Sequence, residues 1–168
     1  MLPDDAVDRI NAGCQTIGTM CKNQGIEQWE IVAYQSYGHQ LDIEAGKISL
    51  AAGGGEGGYG IRVVEGGRFG YAYLVDVESA ESALKQAMDI ARASPSVAGF
   101  VLPSAEDAPQ VDGLFDQRIL DLGPEDLLEQ ADAILSEVAS LDARAVVTGG
   151  GLGVGATASA ILSSEGIE

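Results

Sequence analysis

The amino-acid sequence predicts an α+β fold, a mostly antiparallel sheet covered on one face by about three amphipathic helices. Three observations lead there. Apolar residues recur at three- and four-residue steps in three segments, the pattern of helices with one buried face. Between the first two of these segments the period drops to two, with glycine-containing turns between the alternating runs. Strands joined by such tight turns are antiparallel.

Taken in order, the first helix spans about Pro3 to Asn23, with Val7, Ile10, Cys14, Ile17 and Cys21 as its apolar stripe. Pro3 suits the first turn, Asp4 and Asp5 suit the positive end of the helix dipole, and Gly25 is a stop. Trp29, Ile31 and Ala33 then alternate with polar or outward residues, as do Leu41, Ile43 and Ala45. The chain turns at Ala45-Gly46-Lys47 and returns through Ile48 and Leu50, a hairpin pattern. A second hairpin joins Tyr59, Ile61 and Val63 to Phe69, Tyr71 and Tyr73 through Gly66-Gly67, which can adopt the positive φ angles of a type I′ turn. Arg62 interrupts that apolar strand and is expected to pair with an acid near the sheet edge.

The second helix spans about Val77 to Ala93, with Asp76 as N-cap and Val77, Ala80, Leu84, Ala87, Met88 and Ala91 facing inward. Ser94-Pro95 ends it. Residues 95–121 read as a long surface connection with one short extended piece from Phe115 to Leu120. The third helix begins at Gly123-Pro124 and buries Leu127, Leu128, Ala131, Ile134, Leu135 and Val138. Two extended segments, Ala143–Thr148 and Gly155–Ser163, bracket a glycine run and are expected to form a β-hairpin or paired strands.

Composition limits the function classes. The chain has 168 residues, 46% of them hydrophobic, which suits one compact domain with a packed core. Asp and Glu outnumber Lys and Arg 26 to 9, a formal charge of −17 that repels a phosphate backbone and argues against nucleic-acid binding. Cys14 and Cys21, about two helical turns apart, are too distant for a disulfide and are expected to be reduced, buried residues of a cytoplasmic protein. MLPDDAVDRI has no secretory character, and no stretch approaches the roughly 18 apolar residues of a membrane helix, so a soluble protein is expected.

The sequence designates no catalytic, cofactor-binding or metal residue. His39, the single histidine, cannot build a His-Glu-x-x-x-His-type site and is read as a surface residue at a turn. Cys14 and Cys21 have no histidine beside them on their helix to assemble a nucleophile. Asp42 and Glu44 fall on the solvated side of a strand. The run Gly53 to Gly60 lacks the Lys-Ser/Thr ending of a P-loop and reads as a bend or bulge between strands. Gly151-x-Gly153-x-x-Ala156 matches a dinucleotide fingerprint, but no later strand supplies the ribose-binding acid, and a glycine-rich hairpin connection is the favoured reading.

The segment EGGYGIRVVEGGRFGYAYLVDVESAESALKQAMDIAR resembles the TldD/PmbA family, also described as peptidases or as modulators of DNA gyrase. The matching landmarks are Gly58, Gly60, Arg62 and Val63, the Gly66-Gly67-Arg68 turn, Gly70-Tyr71-Ala72, and a helix ending Ala91-Arg92-Ala93. QLDIEAGKISL upstream, the Pro124-Glu125 helix and the terminal SSEGIE are further similarities, so the likeness runs from about Glu27 to Glu168. The resemblance implies a metallopeptidase family of paired subunits that enclose a chamber and process unfolded peptides. It implies zinc held by His-Glu-x-x-x-His and a later Cys in a catalytic C-terminal domain, and a partner subunit without that motif. On this resemblance the chain, residues 1–168, is a single N-terminal domain without the catalytic domain, and it holds no zinc itself. The glycine run Gly149 to Gly155 departs from the more polar family pattern.

Three functions follow as expectations. The leading one is the non-catalytic N-terminal domain of a TldD/PmbA-type zinc peptidase or of its inactive partner, contributing to assembly and peptide handling in proteolysis. Its partners would be a family-type subunit or further copies of itself, and the peptide substrate of the full assembly, with neither nucleic acid nor membrane. The alternatives are a stand-alone interaction domain that pairs through an exposed sheet edge and a nucleotide-binding protein that uses the Gly151 turn.

Overall fold

The computed structural model describes residues 5–107, 109 and 111–168. Its elements are α1 (Ala6–Asn23), β1 (Gln28–Glu44), β2 (Lys47–Glu65), β3 (Arg68–Leu74), α2 (Ala80–Ala93), α3 (Gln117–Leu120), α4 (Pro124–Leu141) and β4 (Gly149–Ser163). The strands form one sheet in the order β3-β2-β1-β4. The fold is α+β, as the sequence predicts. Contacts divide the chain into two units, one holding 36–56 and 111–157 and the other holding 57–107 and 158–168 together with the described residues up to Gln35.

In the second of these units, α1 buries Ala6, Ile10, Cys14, Ile17 and Cys21. Val7, expected on that stripe, is 53% exposed; the buried arc begins one residue earlier, at Ala6. Pro3 and Asp4 lie outside the described residues. Gly25, at φ 71°, follows the last turn of α1. Trp29, Ile31 and Ala33 of β1 and Ile61 and Val63 of β2 are buried on the face that α1 covers, because Gly18 of α1 leaves room for the Trp29 ring. β3 pairs with β2 from Tyr59↔Leu74 to Glu65↔Arg68, and this register puts Gly70 opposite Val63. The backbone of α2 lies directly against Gly70, where any Cβ would collide with the carbonyl of Ala87.

The opposite face of this unit carries Arg62, paired with Glu30 at 2.8 Å. Both belong to interior strands, so the expected acid is found within the sheet and not at its edge. The segment after α2 crosses this face. Val97 N–H donates to Gly67 O at 2.8 Å, Phe100 packs edge-on against Phe69 with centroids 4.4 Å apart, and Leu102 is buried. Part of the expected surface connection is therefore a packed cover. Asp76 does not cap α2: a single 3₁₀ turn, Val77–Ser79, intervenes, and Asp76 makes no side-chain cap bond.

In the other unit, Leu41 and Ile43 of β1 form a core with Leu127 and Ala131 of α4, joined by Ile48, Leu135, Val147, Leu152 and Val154. Leu128 and Ile134 of the predicted apolar face are exposed. Phe115–Leu120 is not extended: Asp116 accepts the Arg118 N–H at 3.0 Å and caps the short helix α3. Ala143–Thr148 is not a strand either, so the expected hairpin over 143–163 is a single strand, β4, paired with β1. The glycine run lies inside β4, and Gly53 to Gly60 lies inside β2. Glycine is a poor strand former in isolation. Here each run belongs to a long strand paired with β1, and those backbone hydrogen bonds hold it extended.

Candidate functional site

Trp29, Ile31, Ala33, Tyr37, His39, Leu41 and Ile43 occupy alternate positions of one continuous strand. In the unit built on residues 36–56 and 111–157, Leu41 and Ile43 are covered by α4, whereas Tyr37 and His39 are only half-buried. They line a cleft of ≈ 400 Å³ with Ile119, Asp121, Leu122 and Pro124, above Gly38, Val154 and Gly155. A second hollow of ≈ 280 Å³ shares Tyr37, His39 and Pro124 and extends to Leu41, Gly53 and Leu127.

His39 thus stands within β1 and not at a turn. Its ring meets Tyr37 edge-on, 5.3 Å between centroids and 88° between planes. The ring has room because the facing residue of β2 is Gly53, where a Cβ would collide with His39 Nδ1. Across the other neighbour, a Cβ on Gly38 would meet the Val154 carbonyl at 2.7 Å. Glycine at 53 and 55 therefore keeps β2 low beside the two aromatic rings. Neither side chain, nor the Asp121 carboxylate, has a hydrogen-bond or ion-pair partner among the described residues. The entrance to α4 borders the cleft, with Gly123 N–H donating to Asp126 Oδ2 at 2.7 Å. This arrangement can bind a small group between aromatic, apolar and acidic surfaces; it contains no nucleophile–base pair.

The other residues singled out by the sequence lie elsewhere. Cys14 and Cys21 are free and buried on α1, with burial pushing the thiols up to about 11 and about 12. Asp42 accepts from Gln40 at 3.0 Å on β1. Gly151, Gly153 and Ala156 are strand residues with no helix after them, so the strand–turn–helix that a dinucleotide fingerprint needs is not formed. Among the described residues no group of three or more His, Cys, Asp and Glu side chains is placed to hold a metal ion. With one histidine and two buried thiols, the donor set does not fit the zinc that the resemblance implies. What sequence reasoning missed is the cleft itself. Its signal in the sequence is that Tyr37 and His39 stand at alternate positions before Leu41 and Ile43.

Residues 29–91 match the family model described as PmbA/TldA metallopeptidase domain 1. An uncharacterised protein of Methanocaldococcus jannaschii is 28% identical over 149 residues, 88% of this chain and 33% of that protein. The fold is shared with TldE from Thermococcus kodakarensis, with a TM-score of 0.78 and 23% identity over 90% of this chain and 35% of the other. It is shared also with a proposed modulator of DNA gyrase from Bacteroides thetaiotaomicron, with a TM-score of 0.82 and 21% identity over 100% of this chain and 38% of the other. The chain spans about a third of the length of each of these proteins. The chain is thus similar in sequence, over its central hairpins and α2, to PmbA/TldA metallopeptidase domain 1, and it shares its fold with these solved structures.

Proposed function

We propose that this chain is a non-catalytic domain of a TldD/PmbA-type peptidase or of its inactive partner, and that it contributes subunit contacts and peptide handling. The observation that carries the reading is the match of residues 29–91 to the family's first domain. A single histidine supports the non-catalytic role, because a His-Glu-x-x-x-His zinc site needs two. The charge of −17 supports a peptide over a nucleic acid as the handled polymer. No helix among the described residues is long and apolar enough to cross a membrane, and the two free buried thiols suit the reducing cytoplasm proposed as its compartment. The test is sedimentation of the chain with a family subunit that carries the zinc motif. A stable complex with increased peptidase activity is expected. Two independently sedimenting species and unchanged activity would contradict the proposal.

A second reading has its own observation. β3 pairs with β2 only as far as Tyr59↔Leu74, so among the described residues Lys47–Gly58 has no strand on that side. Ser49 to Glu56 are exposed and carry no lysine or proline to block pairing. An interaction domain that recruits an extended segment at this edge would use that backbone.

A further inference from the structure

We infer that the Tyr37–His39 cleft is a subsite for an arginine side chain, presented by an extended peptide; the peptide part rests on the proposed function. Size comes first. A space of ≈ 400 Å³ lies in the range of small-ligand pockets and is too narrow for a folded element. It suits one long side chain.

Charge selects the sign. Among the described residues, Asp121 is the only Asp, Glu, Lys or Arg lining the two hollows, and it has no counter-charge. The start of α4 borders the cleft and would by itself favour an anion. That tendency is cancelled locally. Pro124 offers no N–H, Asp126 already takes the Gly123 N–H, and Glu125 and Asp126 occupy the first turn. The whole chain, at −17, adds a field that attracts cations and repels anions.

Shape and surface chemistry select the cation. Tyr37 and His39 offer aromatic surface at right angles, and Ile119, Leu122, Pro124 and Val154 offer apolar walls. A planar guanidinium stacks on aromatic faces, is more weakly hydrated than an ammonium and pairs with a carboxylate through two hydrogen bonds. Its propyl stem covers apolar surface. The unpartnered Tyr37 hydroxyl and His39 imidazole can accept further N–H groups. Lysine satisfies the carboxylate but not the stacking.

The experiment follows the His39 and Tyr37 ring resonances by NMR while Nα-acetyl-arginine amide is added. The lysine, glutamine and glutamate amides serve as comparisons. Saturable shifts of both rings with arginine are expected, weaker ones with lysine and none with glutamate. In Asp121→Asn, an isosteric change at an exposed position, affinity for the arginine amide should fall about tenfold, the size of one charge-assisted hydrogen bond. Equal binding of the glutamine or glutamate amide, shifts that spare His39, or full affinity in Asp121→Asn would each overturn the inference. A pentapeptide with central Arg or Gln separates it from the broader reading. If the arginine amide binds here but the arginine peptide binds no tighter, the subsite stands and peptide handling fails. If both peptides bind equally without moving His39, peptide handling stands and the subsite fails.

Discussion

Gly53 of β2 faces the imidazole of His39 so closely that a methyl group there would strike Nδ1. Gly54, one residue on, has nothing within 4 Å of the same position. Gly53→Ala is therefore expected to tilt the His39 ring away from Tyr37 and to lower stability by about 1 kcal/mol, the low end of overpacking, because a side chain can yield. Gly54→Ala should stay within about 0.5 kcal/mol of the parent, as for surface substitutions generally. Denaturant melts of both variants, with the His39 ring resonance as a local probe, check the pair. Equal effects would show that the glycine at 53 does not seat the ring.

Gly70→Ala should be far more damaging. The collision there is with the backbone carbonyl of Ala87, which can move only if α2 moves. A loss of about 3 kcal/mol, the upper end of overpacking, is expected in the same melts. A loss below that of Gly53→Ala would contradict the packing of α2 on β3.

Arg62→Glu would place a second carboxylate beside Glu30 where the guanidinium now pairs at 2.8 Å. Both side chains are largely buried, and Arg62 Nε has no hydrogen-bond partner among the described residues, with the Phe100 ring 5.9 Å from the guanidinium carbon. Breaking such a pair costs about 3 kcal/mol. Phe69→Asp, which sets a charge against Phe100, should also destabilise. Unchanged melting temperature and unchanged sedimentation in both variants would remove the structural role assigned to this face.

The helices and the hairpin turns are readable from sequence because their physics is local. Ile10, Cys14, Ile17 and Cys21 share one arc of α1 and all are buried, as their spacing requires. Strand length is different. Gly38, Gly53 to Gly55 and Gly149 to Gly151 look like punctuation, since glycine usually ends a strand. All are strand residues, in β1, β2 and β4, because the hydrogen bonds that keep a glycine extended come from a partner remote in sequence. A strand cut short at Gly38 leaves His39 at a turn and the cleft out of sight. Phe100 and Leu102 sit in a stretch whose sequence reads as surface for a similar reason: nothing local reveals that Gly66 and Gly67 accept hydrogen bonds from Ser96 and Val97.

Ala45 sits at φ 49° beside Gly46 at φ 73° in the turn between β1 and β2. These are the positive angles of a type I′ turn, for which Asn-Gly is the preferred pair. Relieving left-handed strain on a residue with a Cβ is worth about 1 kcal/mol. Ala45→Asn should raise stability by roughly that amount in a urea titration. A decrease would contradict the turn geometry.

Burial raises the Cys14 and Cys21 thiols to about 11 and about 12 from an ordinary value of 9.0. Folding thus favours the neutral thiol. Their contribution to stability is full below pH 9.0 and is lost as pH rises through about 11 and 12, because the unfolded chain releases those protons first. The native protein at pH 8 should resist a thiol-specific disulfide reagent until denaturant is added. Prompt modification of both cysteines without denaturant would show that α1 does not bury them.

The proposed function has this domain handle peptide without cutting it. Its most direct test adds a fluorescent, unfolded peptide to the isolated chain after chelator washing, with and without stoichiometric zinc, and follows anisotropy and cleavage together. Saturable binding with no cleavage in either condition, and no zinc retained after a second wash, is the expected result. Stoichiometric zinc surviving the wash, with cleavage that a chelator abolishes, would contradict it.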